Sequence, residues 1–189
     1  RGALASPRVI LVGLGKQERF SATVARRASA AAARKAQEMG LKHIASVVHG
    51  AGAGGLGASE AAQAVAEGAT LVTYRFSDYK SGDSKPSLER LTLVELDPEK
   101  VEAEREGGRV GEIIANAVCL ARSLVNRPPN YLTPTIMGQM AQEMADANRK
   151  LRVRVLDRDA ITQLGMGALL GVAQGSDEPP RFIVLEHGP

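Results

Sequence analysis

A short apolar run, a long alanine-rich helix and a second apolar run near the start of the chain constrain the fold most. The run Val9–Gly13 predicts a buried strand that ends in a glycine turn. Ser21 is a suitable N-cap for a helix over Ala22–Met39, and Gly40 is suited to end it. A second strand is predicted over His43–His49. Because the connections are short, we expect a βαβ unit with parallel strands and a right-handed crossover.

Composition excludes several classes of protein. Apolar residues make up 44% and charged residues 24% of the 189 residues, with a mean hydropathy of −0.12, which is typical of a globular protein rather than a disordered or collagen-like one. No uncharged run approaches the roughly 18 residues of a membrane span, so we expect no membrane partner. Since aromatic residues are only 3%, the core must consist mainly of Ala, Val, Leu and Ile. The one cysteine, Cys119, cannot form an internal disulfide, which favours a cytoplasmic location.

The rest of the chain continues the alternation of strands and helices. A helix is predicted from Ser59, and the segment Thr70–Phe76 fits either a strand or the continuation of that helix. The later elements follow from apolar spacing and from capping residues: a strand over Leu88–Leu96, a helix from Asp97 to Val125, a helix from Thr133 to about Arg149, a strand over Leu151–Leu156, a helix from Asp157 to Leu164, helical turns over Ala168–Ala173, and a strand over Phe182–Glu186.

The predicted helix that ends at Val125 is the longest. Its length of about 27 residues corresponds to roughly 40 Å, more than the core of one small domain needs, so it predicts a connector between domains. We expect Gly107 and Gly108 to loosen it, and Pro128 with Pro129 to stop it. Apolar residues recur on one side of it, at Val110, Ile113, Ile114, Ala117, Val118, Ala121, Leu124 and Val125. The chain is accordingly divided into an N-terminal α/β domain over residues 1–96, a connecting helix over 97–125 and a second part over 126–189.

The glycine-rich loop Gly50–Gly57 is a candidate nucleotide site. It matches the dinucleotide-binding fingerprint G-x-G-x-x-G from Gly50 and again from Gly52, between a predicted strand and a predicted helix. An acidic residue at the end of the next strand should bind a ribose hydroxyl, and Asp78 is the candidate. It qualifies only if Thr70–Phe76 is a strand. The alternative is a flexible loop, because glycine-rich loops match such patterns easily.

The basic residues are concentrated in the first third of the chain. Residues 1–58 carry nine Lys or Arg against two acids, and part of the excess lies on the first predicted helix at Arg26, Arg27, Arg34 and Lys35. Such a surface could bind an anion or a nucleic acid. The alternative is a solvated helix face, which we favour because no aromatic residues are interleaved to stack on bases.

The remaining reactive residue types form no complete active site. The three histidines, His43, His49 and His187, lack the spacing of a metal site, and we expect each to pack at a strand end. Cys119 has no nearby histidine and is expected to be a core residue. Ser176 lacks a nucleophile elbow and is expected in a turn or cap. The remaining acidic group, Glu102, Glu104 and Glu106, is expected on a solvated helix face.

Several motifs in fixed order resemble one enzyme family. The segment Glu60–Gly68, followed by Tyr74–Lys80, is similar to the N-terminal domain of leucyl aminopeptidases, also called cytosol aminopeptidases. The strongest motif is Ala121–Pro134, with its N-x-P-P-N-x-L-T-P core, which is similar to the stretch that opens the catalytic domain of that family. Leu164–Leu170 and Gln174–Pro180 continue the resemblance in order and spacing, so that it extends over essentially the whole chain.

The resemblance implies a fold and an activity. The fold class is α/β: a three-layer α/β/α N-terminal domain with a mixed, mostly parallel sheet, a long connecting helix and the start of a second α/β domain. The enzyme would release N-terminal residues from peptide substrates in the cytoplasm, as a hexamer, with two divalent metal ions, Mn or Zn, that bridge the attacking water. An Arg with a bound bicarbonate would help to move the proton. The family also places Glu60–Phe76 in a helix.

The segments that carry the metal ligands of this family do not occur in the chain. These are a G-K-G-x-T-F-D-[ST]-G-G segment and an N-T-[DE]-[AG]-E-G-R segment. No catalytic, metal-binding or cofactor-binding residue can therefore be assigned, and we expect this chain to be part of an aminopeptidase and to be inactive alone. Two alternatives stay open: a nucleotide- or ADP-ribose-binding module that uses Gly50–Gly57, and a DNA-binding role of the helix around Arg26–Lys35, since some relatives also act as DNA-bound regulators.

Overall fold

The protein is described by a computed structural model that covers residues 6–52, 54–81 and 87–188. The chain divides into two compact units, Arg1–Ser123 and Leu124–Pro189. In the first unit the elements are α1 (Ala22–Glu38), β1 (His43–Val47), α2 (Ala58–Thr73), β2 (Arg90–Val94) and α3 (Pro98–Asn126), whose last residues belong to the second unit. In the second unit the elements are α4 (Pro134–Asp146), β3 (Leu151–Leu156), α5 (Arg158–Gln163), α6 (Gly167–Ala173) and β4 (Phe182–His187).

The sheet of the first unit is a parallel pair of strands. β1 pairs with β2 so that Ile44 faces Leu91 and Ser46 faces Leu93, and α2 lies between the two strands in the sequence. Both strands alternate exposed and half-buried residues, as expected for a sheet with one covered face. The predicted strands in these two regions are thus confirmed, with shorter bounds.

The predicted strand over Val9–Gly13 is wrong. Residues 8–16 form no regular structure, and Val9 and Leu11 are 60% and 91% exposed. The expected βαβ unit is therefore also wrong in its first strand, because β1 finds its parallel partner in β2. An apolar run forms a strand only where a neighbouring strand takes up its backbone hydrogen bonds, and this segment forms no such ladder with the described strands.

Alanine forms most of the core of the first unit, as composition predicted. Helices α1 and α2 pack closely along faces of small residues, and a Cβ added at Gly68 would lie 2.1 Å from the carbonyl oxygen of Arg26. Ser29 strengthens this contact, since its hydroxyl donates to the carbonyl of Val65 at 2.7 Å. The buried apolar residues of the two helices are Ala25, Ala28, Ala33, Ala36, Ala61, Ala62, Ala64, Val65 and Ala69.

Helix α3 is continuous and begins where the sequence predicted. The Asp97 carboxylate accepts a hydrogen bond from the Glu99 amide at 3.1 Å, and Pro98 is the first helical residue. The expected loosening at Gly107 and Gly108 is wrong, because the helix runs unbroken through both residues. Gly107 instead permits close packing. A Cβ there would lie 2.0 Å from the carbonyl oxygen of Ser59 in α2.

The side of α3 with the larger apolar residues is not the buried side. Ile113 and Val125 are 54% and 85% exposed, while the buried residues of the helix are Glu104, Gly107, Gly111 and Ala115. Helix α2 approaches α3 so closely that only small residues fit between the two backbones. The buried face of α3 is therefore formed mostly by glycine and alanine.

The second unit is built on an antiparallel pair of strands. β3 pairs with β4 so that Val153 faces Leu185 and Val155 faces Ile183. Helix α4 covers the pair so closely that a Cβ at Gly138 would lie 3.0 Å from Cγ1 of Val155. All four predicted elements from Thr133 to Ala173 are present, and so is the final strand.

Two of these helices carry the predicted side-chain caps. Thr133 Oγ1 accepts from the Ile136 amide at 3.3 Å, and Asp157 Oδ1 accepts from the Ala160 amide at 3.0 Å.

With its parallel strand pair and long helix, the chain has the predicted mixed α/β class. Within the described ranges, no helix has the combined length and apolar character that crossing a membrane requires.

Candidate functional site

The glycine-rich loop folds onto Phe20. A Cβ at Gly50 would lie 2.7 Å from Cε1 of Phe20, and one at Gly54 would lie 2.8 Å from the same ring. Two amides of the loop are used internally, since Gly55 donates to the Gly52 carbonyl at 3.1 Å and Leu56 donates to the Gly50 carbonyl at 3.1 Å. These glycines are thus explained by packing and turn formation, and these amides do not point outward to cradle a phosphate.

The acidic residue that a nucleotide site would need is not at a strand end. Helix α2 continues to Thr73, residues 74–76 form no strand, and Asp78 lies in a turn. The helical spacing of the buried alanines outweighs the β propensity of the β-branched residues near the end of α2. The sequence left a strand and a continued helix as alternatives for Thr70–Phe76, and the helix is correct as far as Thr73. The nucleotide-binding alternative is not supported.

The basic face of α1 is partly neutralised. The Arg26 guanidinium contacts the Glu67 carboxylate of α2 at 2.6 Å, and Gln63 donates to the same carboxylate at 2.8 Å. Lys35 pairs with Glu38 at 3.2 Å on the exposed side of the helix. Since two of the four cations are held in ion pairs and Arg26 packs against α2, the DNA-binding alternative is not supported.

Sequence reasoning did not single out Glu67. This residue is only 6% exposed and forms the partly buried ion pair with Arg26. The sequence contained a signal, because Glu67 directly precedes the closely packed Gly68 on the buried face of α2. A charged residue on a buried helix face requires a partner from the facing helix.

The three histidines lie at or near strand ends. His49 follows β1, and its Nε2 donates to the Ala25 carbonyl at 3.0 Å. His43 begins β1 and lies 3.7 Å from the exposed carboxylate of Glu89. His187 ends β4 and is exposed. All three thus lie at or next to strand ends as predicted, but the expected packing is wrong for His43 and His187, which are exposed. None of the three belongs to a metal-binding group of the described residues.

Cys119 lies in helix α3, and Ser176 follows helix α6. Cys119 is half-buried in α3, and no metal-binding group of the described residues includes it. The Ser176 hydroxyl accepts from the Glu178 amide at 3.1 Å, and the Ser176 amide donates to the Ala173 carbonyl at 3.3 Å. Ser176 therefore organises a turn after α6, as predicted.

The expectation of a solvated acidic face on α3 is wrong for one of its three residues. Glu102 and Glu106 are exposed and pair with arginines one turn further along the helix. Glu104 is only 5% exposed, and burial, followed by the neighbouring Glu95, raises its pKa to about 7. Its spacing from Gly107, Gly108 and Gly111 places it on the face that packs against the rest of the unit, which is the signal that the sequence contained.

The proline segment after α3 ends the helix and starts the next one. The amides of Tyr131 and Leu132 both donate to the Pro128 carbonyl, at 2.9 and 3.0 Å, which forms a compact turn. Thr133 then caps α4. The predicted stop at the prolines is confirmed, since α3 ends at Asn126.

The metals implied by the resemblance do not fit the residues that the structure describes. Within these residues, no three side chains of His, Cys, Asp or Glu converge on a point where they could hold a metal ion. Among the carboxylates near α3, Glu102 and Glu106 pair with arginines, and Asp97 pairs with Lys100.

Comparison with family models identifies both parts of the chain. Residues 2–83 match the model described as "Cytosol aminopeptidase family, N-terminal domain". Residues 119–189 match "Cytosol aminopeptidase family, catalytic domain". The two matches come in the order that the motifs predicted, and in the sequence they lie on either side of most of helix α3.

Individual relatives agree with the family models. A probable cytosol aminopeptidase of Solibacter usitatus is 43% identical over 182 residues, which is 96% of this chain and 36% of the relative. The cytosol aminopeptidase of Pseudomonas aeruginosa is 35% identical over 185 residues, 97% of this chain and 37% of the relative. The chain thus spans little more than a third of the length of these relatives.

Solved structures show the same likeness. The bottromycin maturation enzyme BotP in complex with Mn has a TM-score of 0.80 and 34% identity, over 94% of this chain and 36% of the solved one. A mutant of tomato leucine aminopeptidase has a TM-score of 0.78 and 31% identity, over 93% of this chain and 35% of the solved one. The order of the motifs, the fold and these matches together establish that the chain belongs to the cytosol aminopeptidase family.

Proposed function

We propose that this chain is the N-terminal domain and the start of the catalytic domain of a two-metal leucyl-type aminopeptidase. The observation that carries the proposal is the ordered match of its two parts to the two domains of the family. The whole enzyme would release N-terminal residues from peptides, and two divalent ions, Mn or Zn, would supply the activated water when bound. The similarity to BotP, whose solved structure is a complex with Mn, supports manganese as the first metal to test.

The catalytic groups would lie in another part of the enzyme. The sequence lacks both ligand-bearing segments of the family, and the described residues offer no group of ligands for a metal. This chain would contribute structure: the first unit, the connecting helix α3 and the Asn126–Pro134 segment that opens the catalytic domain. In this proposal the domain limits are 1–96, 97–125 for the connector, and 126–189.

The resemblance to the family supports proposals for two properties of the whole enzyme. We propose that it works in the cytoplasm, which the names of the relatives support. We also propose a hexamer, which multi-angle light scattering of the full-length protein would test. A full-length protein that elutes as a monomer at micromolar concentration would contradict the hexamer.

An assay of peptidase activity tests the proposed division of roles. The purified chain is incubated with leucine 4-nitroanilide and Mn²⁺ or Zn²⁺, and its folding is checked by circular dichroism. We expect no release of nitroaniline above the metal-only control. Turnover that requires the metal and stops with a chelator would refute the proposal that the chain is inactive alone.

The encoding gene tests the proposed parent. We expect the DNA that follows the codon of Pro189 to encode the Lys- and Asp-bearing ligand segment, and expression of that longer reading frame to give metal-dependent release of leucine. A stop codon directly after Pro189 would refute the proposed parent enzyme. A longer frame that contains the segment but lacks activity would refute the proposed substrate class.

A further inference from the structure

Two carboxyl groups meet where β2 leads into α3. Glu95 lies in the short connection between these elements, and its Oε1 accepts from the amides of Leu96 at 2.7 Å and Asp97 at 2.8 Å. These two donors stabilise the charged form and lower the pKa of Glu95. The Glu95 carboxylate is therefore fixed in place and carries a negative charge.

Glu104 faces Glu95 from the second turn of α3. It is 5% exposed, and its Oε1 has no hydrogen-bond partner among the residues that the structure describes. Both side chains line one cavity, and after burial Glu95 contributes to the raised pKa of Glu104 through hydrogen bonding and through its charge. A carboxylate can only accept, so one of the two must carry a proton, and burial favours the neutral form of Glu104. Because the Glu104 Oε1 is shielded from solvent and has no donor among the described residues, a negative charge on this carboxyl would be poorly stabilised.

The nearby charges do not neutralise this pair. Lys100 lowers the pKa of Glu104, but its ammonium group lies 3.3 Å from the Asp97 carboxylate. The negative charge of Asp97 raises the pKa of Glu104. One cavity of about 470 Å³ is lined by Glu95, Glu104 and Arg105, and Arg105 pairs with Glu102 at 2.8 Å. The β2 side of this cavity is apolar, formed by Leu93 and Val94, and no residue of α2 lines it.

We propose that Glu95 and Glu104 share one proton and form a pH-sensitive clamp that holds the first turns of α3 against the end of β2. Loss of the proton leaves two carboxylates in contact, one of them buried, and so favours separation of the helix start from the strand. This property is independent of peptidase activity. It would make the first turns of the connecting helix respond to pH.

The direction of the response follows from proton linkage. In the closed form the pKa of Glu104 is about 7, and in the opened form it returns to the ordinary 4.5, so the closed form binds more protons between these values. Opening therefore becomes easier by about tenfold for each pH unit from pH 5 to pH 7, and levels off above pH 7.

Hydrogen exchange measured by mass spectrometry tests the clamp in the full chain. Peptides over residues 95–108 are followed from pH 5 to pH 8, and the rates are corrected for the intrinsic pH dependence of exchange. We expect protection to fall by about tenfold per pH unit up to pH 7 in the unmodified protein. In Glu104→Gln the amide remains a donor to Glu95 at every pH, so protection should stay constant.

Two further variants complete the test. Glu102→Gln removes an exposed acid of the same helix and should keep the pH dependence of the unmodified protein. Glu95→Gln removes the neighbouring charge and should shift the fall in protection to lower pH, which decides the matter if Glu104→Gln fails to fold. Protection that is independent of pH in the unmodified protein, or equally dependent on pH in Glu104→Gln or Glu95→Gln, would overturn the proposal.

Discussion

Replacing Gly107 by alanine should destabilise the first unit strongly. The added Cβ would lie 2.0 Å from the Ser59 carbonyl oxygen, 2.7 Å from its carbonyl carbon and 2.8 Å from its Cα. These are backbone atoms of α2, so no side chain can rotate away. Since Cβ contacts below 3.0 Å are essentially never found, the two helices must separate by about 1 Å.

The magnitude follows from two opposing effects. Overpacking of a close contact costs about 1–3 kcal/mol, and the upper part of this range applies because the neighbouring Gly111 approaches the Gln63 carbonyl in the same way. Alanine is the better helix former by about 1 kcal/mol, which offsets part of the cost. We therefore expect a net loss of about 2 kcal/mol in the free energy of unfolding.

The adjacent glycine provides a matched control. A Cβ at Gly108 would lie 3.8 Å from Cδ1 of Leu93, an ordinary contact, so Gly108→Ala should keep the gain in helix propensity and stabilise the protein by about 0.5–1 kcal/mol. Urea denaturation followed by circular dichroism measures both variants. If Gly107→Ala were as stable as Gly108→Ala, the backbone contact between α2 and α3 would not exist as described.

Three further substitutions test other contacts by thermal or urea denaturation. Glu67→Ala leaves the Arg26 guanidinium and the Gln63 amide without their acceptor and should lower the free energy of unfolding by about 2 kcal/mol. Glu38→Ala removes an exposed ion pair and should lower it by at most about 0.5 kcal/mol. Equal losses would contradict the difference in burial. Asp157→Ala removes a helix cap and should lower the free energy of unfolding by about 1 kcal/mol. Ser21→Ala should cost less, because the Ser21 side chain makes no capping hydrogen bond. The reverse order would refute the assigned caps. In Gly54→Ala the added Cβ would lie 2.8 Å from both the Phe20 ring and the Gly50 Cα, so the melting temperature should fall; an unchanged temperature would contradict this close packing of the loop.

Sequence predicted best the elements whose signals are local. The start of α3 at Asp97 and Pro98, the cap of α5 by Asp157 and the alternation of β3 depend on residues within a few positions of each other. Such signals are independent of the distant chain. The ordered motifs likewise identified the family before any fold was known.

The errors concern contacts between distant segments. Val9–Gly13 has the composition of a strand, but a strand also needs a neighbour, which composition does not reveal. The role of Gly107 depends on Ser59, far away in the sequence. Glu104 has the same side chain as its exposed neighbours Glu102 and Glu106, and only its helical spacing from Gly107 and Gly111 indicates that the packing of the unit covers it.

For functional residues, the sequence mainly excluded candidates, because the reactive residue types form no complete active site. Residue patterns alone left the glycine loop open as a nucleotide site, and the position of Asp78 was decided only by the length of α2. The pairing of Arg26 with Glu67 required knowledge of how α1 and α2 face each other. Both the length of α2 and the pairing of Arg26 with Glu67 depend on tertiary contacts between helices.

The alanine-rich contact between α1 and α2 has a thermodynamic consequence. Alanine removes less apolar surface from water per residue than leucine or phenylalanine, and the heat capacity change of unfolding scales with that surface. The first unit should therefore unfold with a heat capacity increment at or below about 12 cal/mol/K per residue. A smaller heat capacity increment reduces the curvature of the stability curve, so the stability of this unit should vary less with temperature than that of a unit with a leucine-rich core.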